Sequence, residues 1–252
     1  MRLPPEFVVP RPGVAVRAGH EAHVAGWLAA AFDGRHDLGD AAEQGIVGGR
    51  GAVRRLPLDA AGDVYVRRYV HGGLLRRLLR DVYWERPPRP WRELVATEAA
   101  RRAGVAAPEV LAAAALPLAG GGRAGLLYRG VLVTRALTGR RSLGEALRAA
   151  RDDGERRAWI ACAVRAVRTL HQAGIVHRDL NVSNVLVGAS PEEPAALIDF
   201  DRAAVRARPA GALDVALARR RLARSIAKLG IAGLDRRGAA AVLRAAGLGG
   251  AP

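Results

Sequence analysis

His177-Arg178-Asp179-Leu180-Asn181-Val182-Ser183-Asn184-Val185-Leu186 begins at the end of one short apolar run and leads into another, and a third run, residues 195–200, carries Ile198-Asp199-Phe200 at its end. Each stretch reads as a short buried strand that gives way to polar residues. Asp179 and Asn184 lie five positions apart on the first loop, and Asp199 stands on the second. Asp179 can accept a hydroxyl proton, while Asn184 and Asp199 can hold magnesium; phosphoryl transfer from ATP requires this set of side chains. The chain has only two asparagines, Asn181 and Asn184, and both fall in this loop. Turns and caps alone would not call for such a set.

The 252 residues, half of them hydrophobic, are enough for one or two packed units with a true core. A single cysteine, Cys162, excludes an internal disulfide and reads as a buried filler among alanines and valines. No pair among the six histidines has the spacing of a zinc signature. The start, Met1-Arg2-Leu3-Pro4-Pro5, has no apolar leader, and no run approaches the roughly 18 apolar residues of a bilayer span, so a place in the cytosol or on a membrane face is expected. The net charge of +16 comes from 39 arginines and Lys228 against 24 acids. Anionic lipid, nucleic acid and compositional bias, seen also in the alanine run 112–115, are its possible sources. Three phenylalanines, four tyrosines and four tryptophans supply few stacking positions, which disfavours a nucleic-acid-binding module.

The first third reads as β-rich. Gly48-Gly49-Arg50-Gly51-Ala52-Val53 is a glycine turn, followed by a strand over 64–70. Residues 74–84 have helical spacing, with leucines on one face and Arg76, Arg77 and Arg80 on the other, a pattern able to lie on an anionic lipid surface or to pack as an ordinary helix. Pro87, Pro88 and Pro90 break the chain before a helix that starts near Trp91 and stops before Gly104. Residues 126–128 and 131–135 read as strands, 136–141 as a crossover, and 155–172 as a helix buried along Ile160, Ala163, Val164, Val167 and Leu170. After Pro209 the chain is mostly helical, with an arginine run at Arg219, Arg220, Arg221 and Arg224 that reads either as a second lipid contact or as a solvated helix face. The expected fold class is α+β, with a small β-rich N-lobe over 1–137 and a compact helical C-lobe over 138–252.

A nucleotide-anchoring cation normally sits on the third strand of such a lobe, usually a lysine. The only lysine, Lys228, is far away, so arginine must serve, and Arg67, following Val64-Tyr65-Val66, has the register. Its guanidinium is a rigid fork suited to pairing with a carboxylate, for which Glu93 is the candidate; Arg68 would face the other side.

Arg67-Arg68-Tyr69-Val70-His71-Gly72-Gly73-Leu74, Asp81-Val82-Tyr83-Trp84, Arg92-Glu93, the loop 177–184 and Ile198-Asp199-Phe200-Asp201-Arg202-Ala203 together resemble the lipopolysaccharide-kinase family, over residues 48–228. The resemblance implies a protein-kinase-like bilobal fold at the cytoplasmic face of a Gram-negative inner membrane. It implies transfer of the terminal phosphate of ATP to an inner-core sugar of lipopolysaccharide, here O-4 of 3-deoxy-D-manno-octulosonic acid (Kdo) on lipid A precursor. Carried onto this chain, Gly49 and Gly51 cover the phosphates, Arg67 and Glu93 form the anchoring pair, Asp179 is the base, and Asn184 and Asp199 bind Mg2+. A third glycine after Ala52 is missing, which implies a shorter cover over the nucleotide.

Residues 200–212 contain no serine, threonine or tyrosine, so the phosphorylatable loop that protein substrates use is absent. A core heptose, or a small soluble alcohol as in aminoglycoside and choline kinases, is the alternative acceptor. Arg202 is a candidate grip for an acceptor carboxylate, with pairing to Asp201 or Asp179 as its competing role. The expected partners are the glycolipid acceptor and an anionic membrane surface, met peripherally through Arg76, Arg77 and Arg80, with no nucleic acid and no obligate protein partner.

Overall fold

The computed structural model describes residues 2–32, 52–59, 62–71, 81–118 and 127–249. Contacts divide the chain into two units, Met1–Glu98 with Glu109–Ala136, and Ala99–Pro108 with Leu137–Pro252.

The first unit is built on six strands: β1 (Phe7–Arg11), β2 (Val14–Arg17), β3 (Ala52–Asp59), β4 (Gly62–Arg68), β5 (Val110–Pro117) and β6 (Tyr128–Arg135). They form one antiparallel sheet in the order β1-β2-β5-β6-β4-β3. The helix α1 (Val24–Phe32) covers one face, and Trp27 and Leu28 from it pack with Val64, Val66, Val131 and Val133.

The sequence did not announce β1, β2, α1 or β3, and the alanine run assigned to compositional bias is strand β5. Alanine has little intrinsic preference for strands, but successive side chains of a strand point to opposite faces and here both faces are covered. Ala112 and Ala114 join the layer of Trp27, while Ala113 and Ala115 join the layer of Tyr83, Leu94 and Tyr128.

Two further expectations are corrected. The two strands expected over 126–128 and 131–135 are one from Tyr128 onward, because pairing with β5 continues from Tyr128 through Thr134; residue 126 lies outside the described residues. Residues 81–84 are not the end of a helix: Tyr83 and Tyr128 exchange backbone hydrogen bonds of 2.8 Å each, and the buried Tyr83 ring holds the segment extended. The helix α2 (Arg89–Arg102) accepts Pro90 within its first turn, where a missing N–H leaves no bond unmade. It ends at Gly104, whose φ of +81° suits glycine, with the Val105 N–H returning to the Ala100 carbonyl at 3.0 Å.

The second unit contains β7 (Arg141–Ser142), α3 (Leu143–Ala149), α4 (Asp153–Gln172), β8 (Ile175–Val176), β9 (Val185–Val187), β10 (Ala196–Leu197), β11 (Ala204–Val205), α5 (Ala212–Ala227) and α6 (Arg236–Ala245). The Asp152 carboxylate caps α4 by accepting the Glu155 N–H at 2.8 Å, and the stripe Ile160, Ala163, Val164, Val167 and Leu170 is buried. Each such large apolar side chain contributes about 1.5–3 kcal/mol. Helix α5 packs on α6, burying Leu222, Ile226 and Leu243. Among the described residues no helix is long and apolar enough to cross a membrane.

Candidate active site

Two short ladders present the polar loops of the second unit. β9 pairs antiparallel with β10, and β8 with β11. Beyond the Val185↔Leu197 pair, the Ile198 N–H donates to the Asn184 carbonyl at 3.1 Å. Asn184 and Asp199 therefore leave the same end of one ladder.

The loop before β9 is organised by its two asparagines. The Nδ2 groups of Asn184 and Asn181 both donate to the Asp179 carbonyl, at 2.8 and 3.1 Å. A carbonyl can only accept, so the nitrogen edge of the Asn184 amide faces Asp179 and its oxygen edge remains for a cation. Asn181 Oδ1 accepts from the Ser183 N–H and hydroxyl, each at 2.9 Å, and from the Asn184 N–H at 3.1 Å. This Asx arrangement ties the backbone of the loop to itself. Sequence reasoning gave Asn181 no role; its confinement with Asn184 to one motif was the available signal. The Asp179 side chain is exposed, as a base that meets an incoming hydroxyl must be.

His177 ties this loop to the next. Its ring is 2% exposed, and its Nε2 lies 2.9 Å from the Ile198 carbonyl, so Nε2 carries the proton. Burial pushes its pKa below the usual histidine range, while the Ile198 carbonyl and the charges of Asp199 and Asp179 pull the other way. The ring packs 5.2 Å from that of buried Phe200. Asp199 has φ +64° and ψ +62°, the one positive φ outside glycine among the described residues. Aspartate tolerates that conformation better than most residues, yet it costs of order 1 kcal/mol, a strain often found at functional positions. A 3-10 turn, Phe200–Arg202, follows; Arg202 is exposed and makes no ion pair among the described residues.

One carboxylate and one amide oxygen do not make a protein cage, and among the described residues no three His, Cys, Asp or Glu side chains gather as metal ligands. The donor set fits magnesium, a hard cation that keeps waters and takes the rest of its shell from phosphate oxygens.

In the first unit, Arg67 of β4 forms an ion pair with Glu93 of α2. Glu93 is 3% exposed, and the Tyr69 hydroxyl also donates to its Oε2. The Arg67 guanidinium lies 4.9 Å from the Tyr69 ring centroid. A carboxylate this deeply buried is tolerable only with such partners. Arg68 points elsewhere, its guanidinium 5.7 Å from the Phe32 ring centroid. Tyr69 was not singled out from sequence, although a residue two positions after Arg67 falls on the same side of an extended chain. Gly49, Gly51, Arg76, Arg77 and Arg80 lie outside the described residues.

Residues 44–241 match the model of the lipopolysaccharide kinase (Kdo/WaaP) family. No curated protein matches the chain. Among solved structures it is similar to "WaaP in complex with acyl carrier protein", with a TM-score of 0.53 and 19% identity over 79% of this chain and 76% of that one. At that identity the likeness is one of fold. The same structure corrects the expectation that no obligate protein partner is involved, since that relative was solved with a carrier protein bound. Motifs that spell out chemistry do not report on protein partners, so they gave that expectation no support. With the family model spanning more than half of its length, the chain belongs to the lipopolysaccharide kinase (Kdo/WaaP) family and is a nucleotide-dependent phosphotransferase of mixed α+β fold.

Proposed function

We propose that this enzyme transfers the terminal phosphate of ATP to a sugar hydroxyl of the lipopolysaccharide inner core, O-4 of Kdo on lipid A precursor. Residues 1–137 then serve as the nucleotide-anchoring lobe and 138–252 as the catalytic lobe of a protein-kinase-like fold. The observation that carries the reading is the Asn184 amide, turned by the Asp179 carbonyl so that its oxygen is left for a cation at the ladder end shared with Asp199. Asn184 and Asp199 hold Mg2+, which when bound neutralises charge on the phosphate oxygens. Asp179 accepts the proton of the acceptor hydroxyl, and Arg67, steadied by Glu93 and Tyr69, grips the nucleotide phosphates. Gly49 and Gly51 cover them. Arg202 offers a fork to the carboxylate of the acceptor sugar.

A glycolipid acceptor places the enzyme peripherally on the cytoplasmic face of a Gram-negative inner membrane, with Arg76, Arg77 and Arg80 as proposed contacts. The likeness to WaaP supports a protein partner as well, an acyl carrier protein, for which co-elution in size-exclusion chromatography is the test.

Incubation with ATP, Mg2+ and either Kdo-bearing lipid A precursor or a heptose-extended core, followed by mass spectrometry of the product, tests the acceptor. Phosphate on O-4 of Kdo is expected. Phosphate found only on heptose overturns that assignment in favour of a core-heptose kinase, and transfer only to small soluble alcohols overturns both.

A further inference from the structure

Between residues 203 and 249 the chain carries ten basic residues and two acids, on about a fifth of its length. Both acids are committed: Asp214 pairs with Arg206 at 2.5 Å, and Asp235 caps α6 through the Gly238 N–H at 2.7 Å. Of the nine other cations, three share one face with two leucines. Leu213, Leu217, Arg220, Arg224 and Lys228 recur along α5 and its final cap at steps of three and four, within roughly 80° of one another around the helix axis. Leu213 is 72% exposed, and Arg220, Arg224 and Lys228 are exposed without an acidic partner among the described residues. The opposite side, Ala218, Leu222 and Ile226, is buried.

The same helix supports the catalytic loop, because the Ser225 hydroxyl accepts the Val182 N–H at 3.1 Å. One side of α5 thus holds the segment between Asp179 and Asn184, and another side presents two leucines followed by three cations. A basic stripe with apolar side chains at one end suits a surface that is negative at its headgroups and apolar just beneath them. A bilayer demands no groove and no matched acids, only charge and a few insertable side chains.

On the peripheral-membrane reading above, we propose that the outer stripe of α5 is a surface by which the enzyme lies on an anionic phospholipid bilayer, bringing a membrane-held acceptor toward the loop that Ser225 holds on the flank of the same helix. The test is flotation of the full chain with vesicles of phosphatidylcholine alone or mixed with phosphatidylglycerol, at low and high salt. Wild type floats only with the mixed vesicles and only at low salt. The triple variant Arg220→Glu/Arg224→Glu/Lys228→Glu binds at least about 100-fold more weakly, three basic contacts each being worth about fivefold. A control with the same charge change on other exposed arginines of the unit, Arg148→Glu/Arg157→Glu/Arg168→Glu, stays near wild type. Leu213→Asp, a single exposed change, weakens flotation in the same direction and guards against misfolding of the triple variant.

Equal loss in the stripe and control variants would mean that net charge alone acts, and overturns the assignment. Absence of flotation by wild type overturns it together with the membrane reading, whereas phosphotransfer to a detergent-solubilised acceptor reports separately on the catalytic reading. Stripe-dependent binding to an acyl carrier protein but not to vesicles also overturns it, and assigns the face to a protein.

Discussion

On the proposed mechanism, loss of the Asp179 side chain separates chemistry from binding. Asp179→Asn keeps the shape and the backbone carbonyl that both asparagine amides hold, but removes the proposed base. A drop of about 10²–10⁴-fold in kcat is expected, with nucleotide affinity by equilibrium binding unchanged. Unchanged kcat would remove Asp179 from the reaction. Asn181 acts one step back, by ordering the loop that presents Asp179 and Asn184. Asn181→Ala loses the donor to the Asp179 carbonyl and the acceptor for Ser183 and Asn184, whereas Asn181→Asp keeps the acceptor. At about 0.5–1.5 kcal/mol for each hydrogen bond, the alanine variant should need roughly tenfold more Mg2+ for half-maximal rate and the aspartate variant less of an increase. A Mg2+ dependence equal to wild type in Asn181→Ala would show that the loop orders itself without it. Tyr69 supports Glu93 in the same indirect manner, since its hydroxyl shares the carboxylate with Arg67.

The elements that carry these residues are short, and their geometry is held by close backbone approaches. Gly174 turns the chain from α4 into β8 with φ +75°, and a Cβ there would press on the backbone carbonyls of Arg206 and Arg208, just after β11. Gly174→Ala should cost more than the roughly 1–2 kcal/mol of the left-handed conformation alone, read as a lower urea midpoint, because the clash is with backbone that cannot rotate away. A midpoint within error of wild type would mean that β8 and β11 can separate freely. The two polar loops of the candidate site were legible in the sequence as loops because their polar residues sit at fixed offsets between short apolar runs. α4 was legible from its buried stripe. β5 was not, since four alanines in a row carry no β-branched signal and their burial comes entirely from layers on either side. Residues 81–84 misled for the opposite reason: helical spacing of leucines upstream ran into a tyrosine whose partner, Tyr128, lies 45 positions later.

For the molecule as a whole, acid stability follows from groups that bind protons differently in the folded and unfolded chain. His171 is buried, and desolvation pushes its pKa below the usual histidine range, with Asp214 pulling up and His177 pushing further down. A folded histidine with a depressed pKa takes up fewer protons than the unfolded chain does, so stability falls as pH drops. Its contribution is complete above the unfolded value of about 6.5 and is lost progressively below it. Asp214 is depressed as well, chiefly by the hydrogen bond from Arg206; desolvation opposes it, and the Gly211 N–H lowers it further. Its contribution persists above the unfolded carboxylate value of about 3.9 and disappears only as pH falls through its lower folded value. Each proton gained also adds to a chain already at +16, which makes compactness harder to keep. Urea midpoints should therefore decline in two separate windows, the first below about pH 6.5 and the second below about pH 4. His171→Gln should make the first window shallower, the rest of it belonging to buried His177, and leave the second, while Asp214→Asn should make the second shallower. A first window as steep in His171→Gln as in wild type would assign the neutral-range loss to other groups.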